Sequence, residues 1–209
     1  MHRTTLRACM ILALAVALGG CNMVYSERPL FTAADSAGAP PLRPGLWTTS
    51  DPKCRVDEAR PVQRWPKCAE WGLVRATDVL EFKADAKPAA WTSTEYVLAS
   101  GDPRVLQTPF DDKNGSAFIY VALKPLRLDD QGRIVAFTTW TVLCGPPPPA
   151  PAPNATDKRR VTLEPLPGLE IKDDNCIARE PGPVRNAAKA SQAWSATSQT
   201  QHWVRDTLP

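Results

Sequence analysis

The sequence predicts a mainly β protein, an antiparallel meander or a small β-barrel or sandwich, with one α-helix near its C-terminus. Three observations carry this expectation. Long β-branched and aromatic runs alternate with short polar turn signals in the middle of the chain. A proline-rich run, Pro146–Pro153, cannot donate the hydrogen bonds of a central strand. A single alanine-rich stretch near the end has the composition of a helix.

Taken in order, residues 22–41 read as a flexible tether, because Ala33–Pro41 has little to bury and no sustained period. The folded part is expected to begin at Leu42–Trp47, where turn residues give way to an apolar cluster. Val79–Lys83 and Trp91–Leu98 are strand-like, with partial alternation. Asn114-Gly115 suits a tight type I′ turn feeding Ala117–Leu123. Asp129–Gly132 places a glycine where a longer hairpin loop needs positive φ, ahead of the run Arg133–Cys144. Pro146–Pro153 then stops that strand and extends as a stiff exposed loop. Arg160–Leu163 and Leu169–Lys172 are short strand candidates. The helix is expected over about 183–195. Proline suits its first turn, and Val184, Ala187 and Ala188 share one face. Ser191 interrupts that face, which leaves Trp194 as its expected anchor.

The first twenty residues have a separate logic. Arg3 and Arg7 form a short basic region, Met10–Leu18 is apolar and uncharged, and Gly19-Gly20 leads into Cys21. The apolar run is shorter than the roughly 20 residues a membrane-spanning helix needs, and its flanks are those of an export signal. Leu18-Gly19-Gly20-Cys21 resembles the lipobox of bacterial lipoproteins. The resemblance implies removal of residues 1–20 and a diacylglyceryl group on the Cys21 thiol. It also implies anchoring in the cell envelope. Asn22 in place of aspartate implies the outer membrane, facing the periplasm, in a Gram-negative cell. The expected organisation is therefore signal peptide 1–20, lipidated tether 21–41 and one β-rich domain over 42–209.

Export sets the expectation for the cysteines. Cys9 leaves with the signal, and Cys54, Cys68, Cys144 and Cys176 remain in an oxidising compartment. Two disulfides are expected, with Cys54–Cys68 and Cys144–Cys176 as the favoured nearest-neighbour pairing. Zinc ligation is disfavoured, since no Cys-x-x-Cys pair exists and His202 is the only histidine after processing. No metal or cofactor is expected. Loss of Arg3 and Arg7 lowers the formal charge from +3 to +1, and no basic stripe marks a nucleic-acid surface.

Catalytic signals are sparse. His202 has no adjacent nucleophile motif, and neither a G-x-S-x-G elbow nor a phosphate-binding loop is present. Asp111-Asp112, Asp129-Asp130 and Asp173-Asp174 are acid pairs in predicted turns, where they solvate the turn and bond its backbone. The chain has 7 Trp against 5 Phe and 3 Tyr, and core packing is the expected use of most of its indoles. The leading expectation is a membrane-anchored, non-catalytic envelope module that binds or scaffolds a protein or glycan partner. The alternatives are a β-barrel carrier of a small apolar ligand, or an envelope hydrolase that uses a carboxylate pair.

Overall fold

Twelve strands and one helix organise the computed structural model, which describes residues 22–83, 90–112, 115–147, 164–172, 175–194 and 198–207. The strands are β1 (Val24–Ser26), β2 (Gly45–Ser50), β3 (Trp71–Val74), β4 (Asp78–Lys83), β5 (Ala90–Glu95) and β6 (Val97–Ala99). They continue with β7 (Arg104–Asp112), β8 (Gly115–Leu128), β9 (Ile134–Thr141), β10 (Leu169–Lys172), β11 (Asn175–Ala178) and β12 (Gln199–Arg205). Helix α1 spans Pro181–Ser191.

One mixed sheet runs β10-β11-β1-β8-β9-β12-β2-β3-β4-β5. The long strand β8 is its hinge, with β7 along one edge and β1 followed by β9 along the other. β6 follows β5 after the single residue Tyr96 and pairs with β7, so the sheet curls back toward its centre. It is not closed into a barrel, because β4 pairs with β5 whereas β7 pairs with β6. The mainly β, meander-like expectation is met, and the barrel form of it is not.

Alternation along β8 explains the layers. Tyr120 and Ala122 face a cluster with Val24, Phe31, Trp140, Val184, Ala187 and Ala188, whereas Val121 and Leu123 face Trp47, Leu106, Ile134 and Phe137. Successive strand residues point to opposite faces, so a strand buried on both sides feeds two cores. The curled half is filled by its own side chains, with Trp47 and Phe137 rings 5.1 Å apart. A third cluster lies outside β2, where Leu46 packs on Val62 and Trp65.

The largest departure from expectation is the N-terminal segment. Residues 22–41 are not a tether. Val24–Ser26 adds parallel to β11 and antiparallel to β8, and Val24 and Phe31 are buried. The Gln107 carboxamide fixes Phe31 by accepting its N–H and donating to its carbonyl, both at 2.9 Å. Only three residues form β1, too short a signal to show periodicity.

Other expectations shift by small amounts. Val79–Lys83 lies within β4, and Leu169–Lys172 is β10. Trp91–Leu98 is divided between β5 and β6. Gly115 pairs with Asp112 at the end of β7 and β8, and Asn114 of the expected turn lies outside the described residues. The second hairpin is as read: Gly132 has φ 73°, and Asp129 Oδ1 accepts the N–H groups of Gln131 and Arg133. Helix α1 starts and ends a few residues early. Its anchor is not Trp194 but the small-residue face itself. Ser191 is fully buried, donates to Ala187 O at 2.7 Å and accepts the Leu143 N–H at 2.9 Å. Residues 148–163, which include most of the proline run and the strand candidate at 160–163, lie outside the described residues.

Candidate functional site

Two hollows gather residues that can act on another molecule. The larger is a cleft of about 780 Å³ between the N-terminal segment and the β5–β7 side of the sheet. Pro29, Phe31, Ala33, Ala39, Pro40 and Leu42 form one wall, and Tyr96, Val97, Leu98, Pro109 and Phe118 form the other. Its walls are fixed by polar bonds made behind them. Gln107 holds Phe31, the Arg104 guanidinium donates to Pro40 O, and the Ser100 N–H donates to Asp35 O at 2.8 Å. Tyr96 donates its hydroxyl to Arg75 O at 2.9 Å, and burial pushes its phenol up to about 12, which keeps it neutral. Ser36, Thr77, Glu95 and Gln107 supply polar groups to a mainly apolar lining.

The smaller hollow lies where β2, β12 and the loop after β2 meet. A disulfide joins Cys54 to Cys68, with Cα atoms 5.8 Å apart, and closes that loop. Asp57 organises the loop through its ion pair with Arg60 at 2.9 Å. The Arg60 carbonyl accepts from the Trp65 indole at 3.1 Å and from Arg205 at 2.9 Å. Glu58 is thereby presented to β12. His202 lies between Glu58 and the end of β2, with Nε2 2.7 Å from Glu58 Oε1 and Nδ1 2.8 Å from Ser50 Oγ. A hollow of about 540 Å³ opens over these three residues and is also lined by Thr48, Asp51 and Thr200.

The opposite face of the same strand ends carries a second polar group. Thr49 stands between Gln201 on β12 and Glu70 just before β3, and Gln201 is buried. Burial pushes the Glu70 carboxyl up to about 6, the nearby Thr49 hydroxyl works against that rise, and the charge of Asp51 adds to it.

The sequence-predicted sites are distributed as follows. Cys21 and the signal peptide lie outside the described residues. Cys54 and Cys68 are joined as expected. Cys144 and Cys176 are not: both are buried free thiols, and the Cys144 thiol donates to Met23 O at 3.3 Å. Asp173-Asp174 falls outside the described residues. Asp111 and Asp112 pair with Ser116 and Gly115 at the end of the first hairpin. Asp129 serves its turn, with Arg133 Nη2 2.8 Å from its carboxylate. Among the described residues, no three metal-ligating side chains cluster.

Trp47, Trp65 and Trp140 are core residues. Trp91 is 46% exposed and packs with Phe82 and Trp71 across β3, β4 and β5. Sequence reasoning missed Ser50, Glu58 and Glu70, since no motif spacing links them to His202. No nucleophile motif adjoins His202 in sequence, but the pairing of β2 with β12 brings the Ser50 hydroxyl to its ring. Comparison with protein-family models, curated proteins and solved structures finds no match for this chain.

Proposed function

We propose that this protein is a lipid-anchored envelope module that binds a small, neutral, apolar ligand in the cleft between its N-terminal segment and the sheet. The cleft is the observation that carries the reading. Its volume falls within the range of small-molecule sites, and its lining is apolar with a few polar groups at hand, the usual composition of such sites. Bonds from Gln107, Arg104 and Ser100 hold its walls in place before any ligand arrives, which reduces the ordering cost of binding. A carrier of the barrel type would hold its ligand in the strand interior, but here Trp47, Leu106, Phe137 and their neighbours occupy that space.

The anchor reading rests on the lipobox resemblance at Cys21. Two or three acyl chains hold a protein firmly, since each buried CH₂ contributes about 0.8 kcal/mol. Cells fed labelled palmitate should label the wild-type protein but not Cys21→Ser, and equal labelling would remove the anchor from the proposal.

Ligand binding is tested with the neutral fluorescent probe N-phenylnaphthylamine and the purified protein. Ala39→Trp fills the cleft from its loop wall, at a position outside both main cores. Saturable fluorescence enhancement in the wild type, weakened at least about tenfold in Ala39→Trp, is the expected result. Equal enhancement in both proteins would refute the cleft as the binding site.

A further inference from the structure

We propose that Ser50, His202 and Glu58 form an acyl-transfer site that hydrolyses neutral short-chain carboxylic esters. The site shares no lining residue with the apolar cleft, so it stands apart from the ligand-binding reading.

The geometry begins with the ladder between β2 and β12. Ser50 lies opposite Thr200 and Thr48 opposite His202, which puts Ser50 and His202 diagonally on one face. Cross-strand diagonals are within reach of long side chains. The Ser50 hydroxyl contacts His202 Nδ1 at 2.8 Å, and His202 Nε2 contacts Glu58 Oε1 at 2.7 Å. An ionised carboxylate only accepts hydrogen bonds, so Nε2 carries the proton toward Glu58. In the neutral imidazole that tautomer leaves the Nδ1 lone pair facing the Ser50 hydroxyl. This is the nucleophile–base–orienter order of serine hydrolases, with the two ring nitrogens exchanged.

The chemistry closes without a cofactor. As the Ser50 Oγ–carbon bond forms, the hydroxyl proton moves to His202 Nδ1 and the carbonyl π electrons move to the ester oxygen. Collapse of that intermediate breaks the bond to the alcohol, which leaves with the proton from Nδ1. Water then attacks the acyl-serine, gives its proton to Nδ1, and releases the acid as Ser50 recovers its hydrogen. Glu58 faces the positive charge that forms on the imidazole in each half-reaction. Thr200, opposite Ser50 and lining the same hollow, offers a hydroxyl for the oxyanion. Asp51 and Glu58 line the hollow as well, and their charges disfavour anionic substrates. The Cys54–Cys68 disulfide holds the loop that presents Glu58, so it positions the site without touching substrate.

The test uses the full-length chain purified in detergent with its disulfide intact. With para-nitrophenyl acetate, wild type should release nitrophenol and carry an acetyl group on Ser50 when quenched in acid. Ser50→Ala and His202→Gln should lose at least about 100-fold in rate, the contribution expected of a general base, with unchanged melting temperatures. Glu58→Gln, or reduction of the disulfide, should give a smaller loss while Ser50 still becomes acetylated. Should a variant fail to fold, acetyl mapping on wild-type Ser50 decides alone. Absence of acetyl-Ser50, or equal rates in wild type and a folded Ser50→Ala, would overturn the proposal.

Discussion

The backbone N–H of Cys144 donates to the carbonyl of Asn22 at 2.8 Å, which ties the residue after Cys21 to the chain just beyond β9. The Asn22 side chain adds a bond to Gly145 O at 3.1 Å, and the Met23 N–H donates to Asn175 Oδ1 at 3.0 Å. The chain entering the fold is thus held by the segment just beyond β9 and by β11 at once. On the proposed anchoring, the lipid would hold the domain directly at the bilayer surface rather than on a leash.

The N-terminal segment should behave as core. Phe31 is 1% exposed, meets the Tyr120 ring edge-on at 6.0 Å and lies under the Arg185 guanidinium. Phe31→Ala removes a large buried ring, so chemical denaturation should report a loss of about 3–5 kcal/mol. A flexible tether predicts a change within about 0.5 kcal/mol, the ordinary scale of surface substitutions.

Cys144 and Cys176 should be inert once the protein has folded. Burial pushes the Cys144 thiol well above the usual range and raises that of Cys176, and the thiolate is the reactive form. Protein folded under reduction of this pair should therefore resist Ellman's reagent until denaturant is added. Protein folded with glutathione disulfide present should instead yield a Cys144–Cys176 peptide on mapping. The closed bond should add about 3–4 kcal/mol by restricting the unfolded chain. Rapid modification of the native thiols would contradict the burial argument.

Glu70 should give the protein a measurable pH slope. Its folded pKa, about 6, lies above its ordinary 4.5, so the folded state holds the proton more tightly than the unfolded state does. The associated stability is complete below 4.5 and is lost as pH rises through 6. Discounted for partial solvent exposure, the loss is about 1 kcal/mol. Glu70→Gln should flatten this slope, with melting raised near pH 8 and unchanged near pH 4. An unaltered slope would assign it to another group.

Much of the β architecture could be read from local pattern. β4, the second hairpin and the single helix follow from residues close in sequence, and Asp129 with Gly132 specifies its turn by chemistry confined to five residues. The Cys54–Cys68 pair was legible because its partners are near neighbours. Elements that take their reason from distant partners were not. β1 is three residues long and becomes a strand only because β8 and β11 offer hydrogen-bonding edges on both sides. β12, Gln-Thr-Gln-His-Trp-Val-Arg, is largely polar, yet it lies between β9 and β2 with Gln201 1% exposed. That insertion carries His202 to Ser50 across 152 residues of sequence. Local propensity and turn chemistry act over a few residues, so the sequence alone determined strand content, the main turns, the helix and one disulfide. Sheet order is a competition among edges far apart in the chain, and only the tertiary structure decided which strands β12 joins, whether residues 22–41 are core, and which side chains His202 meets.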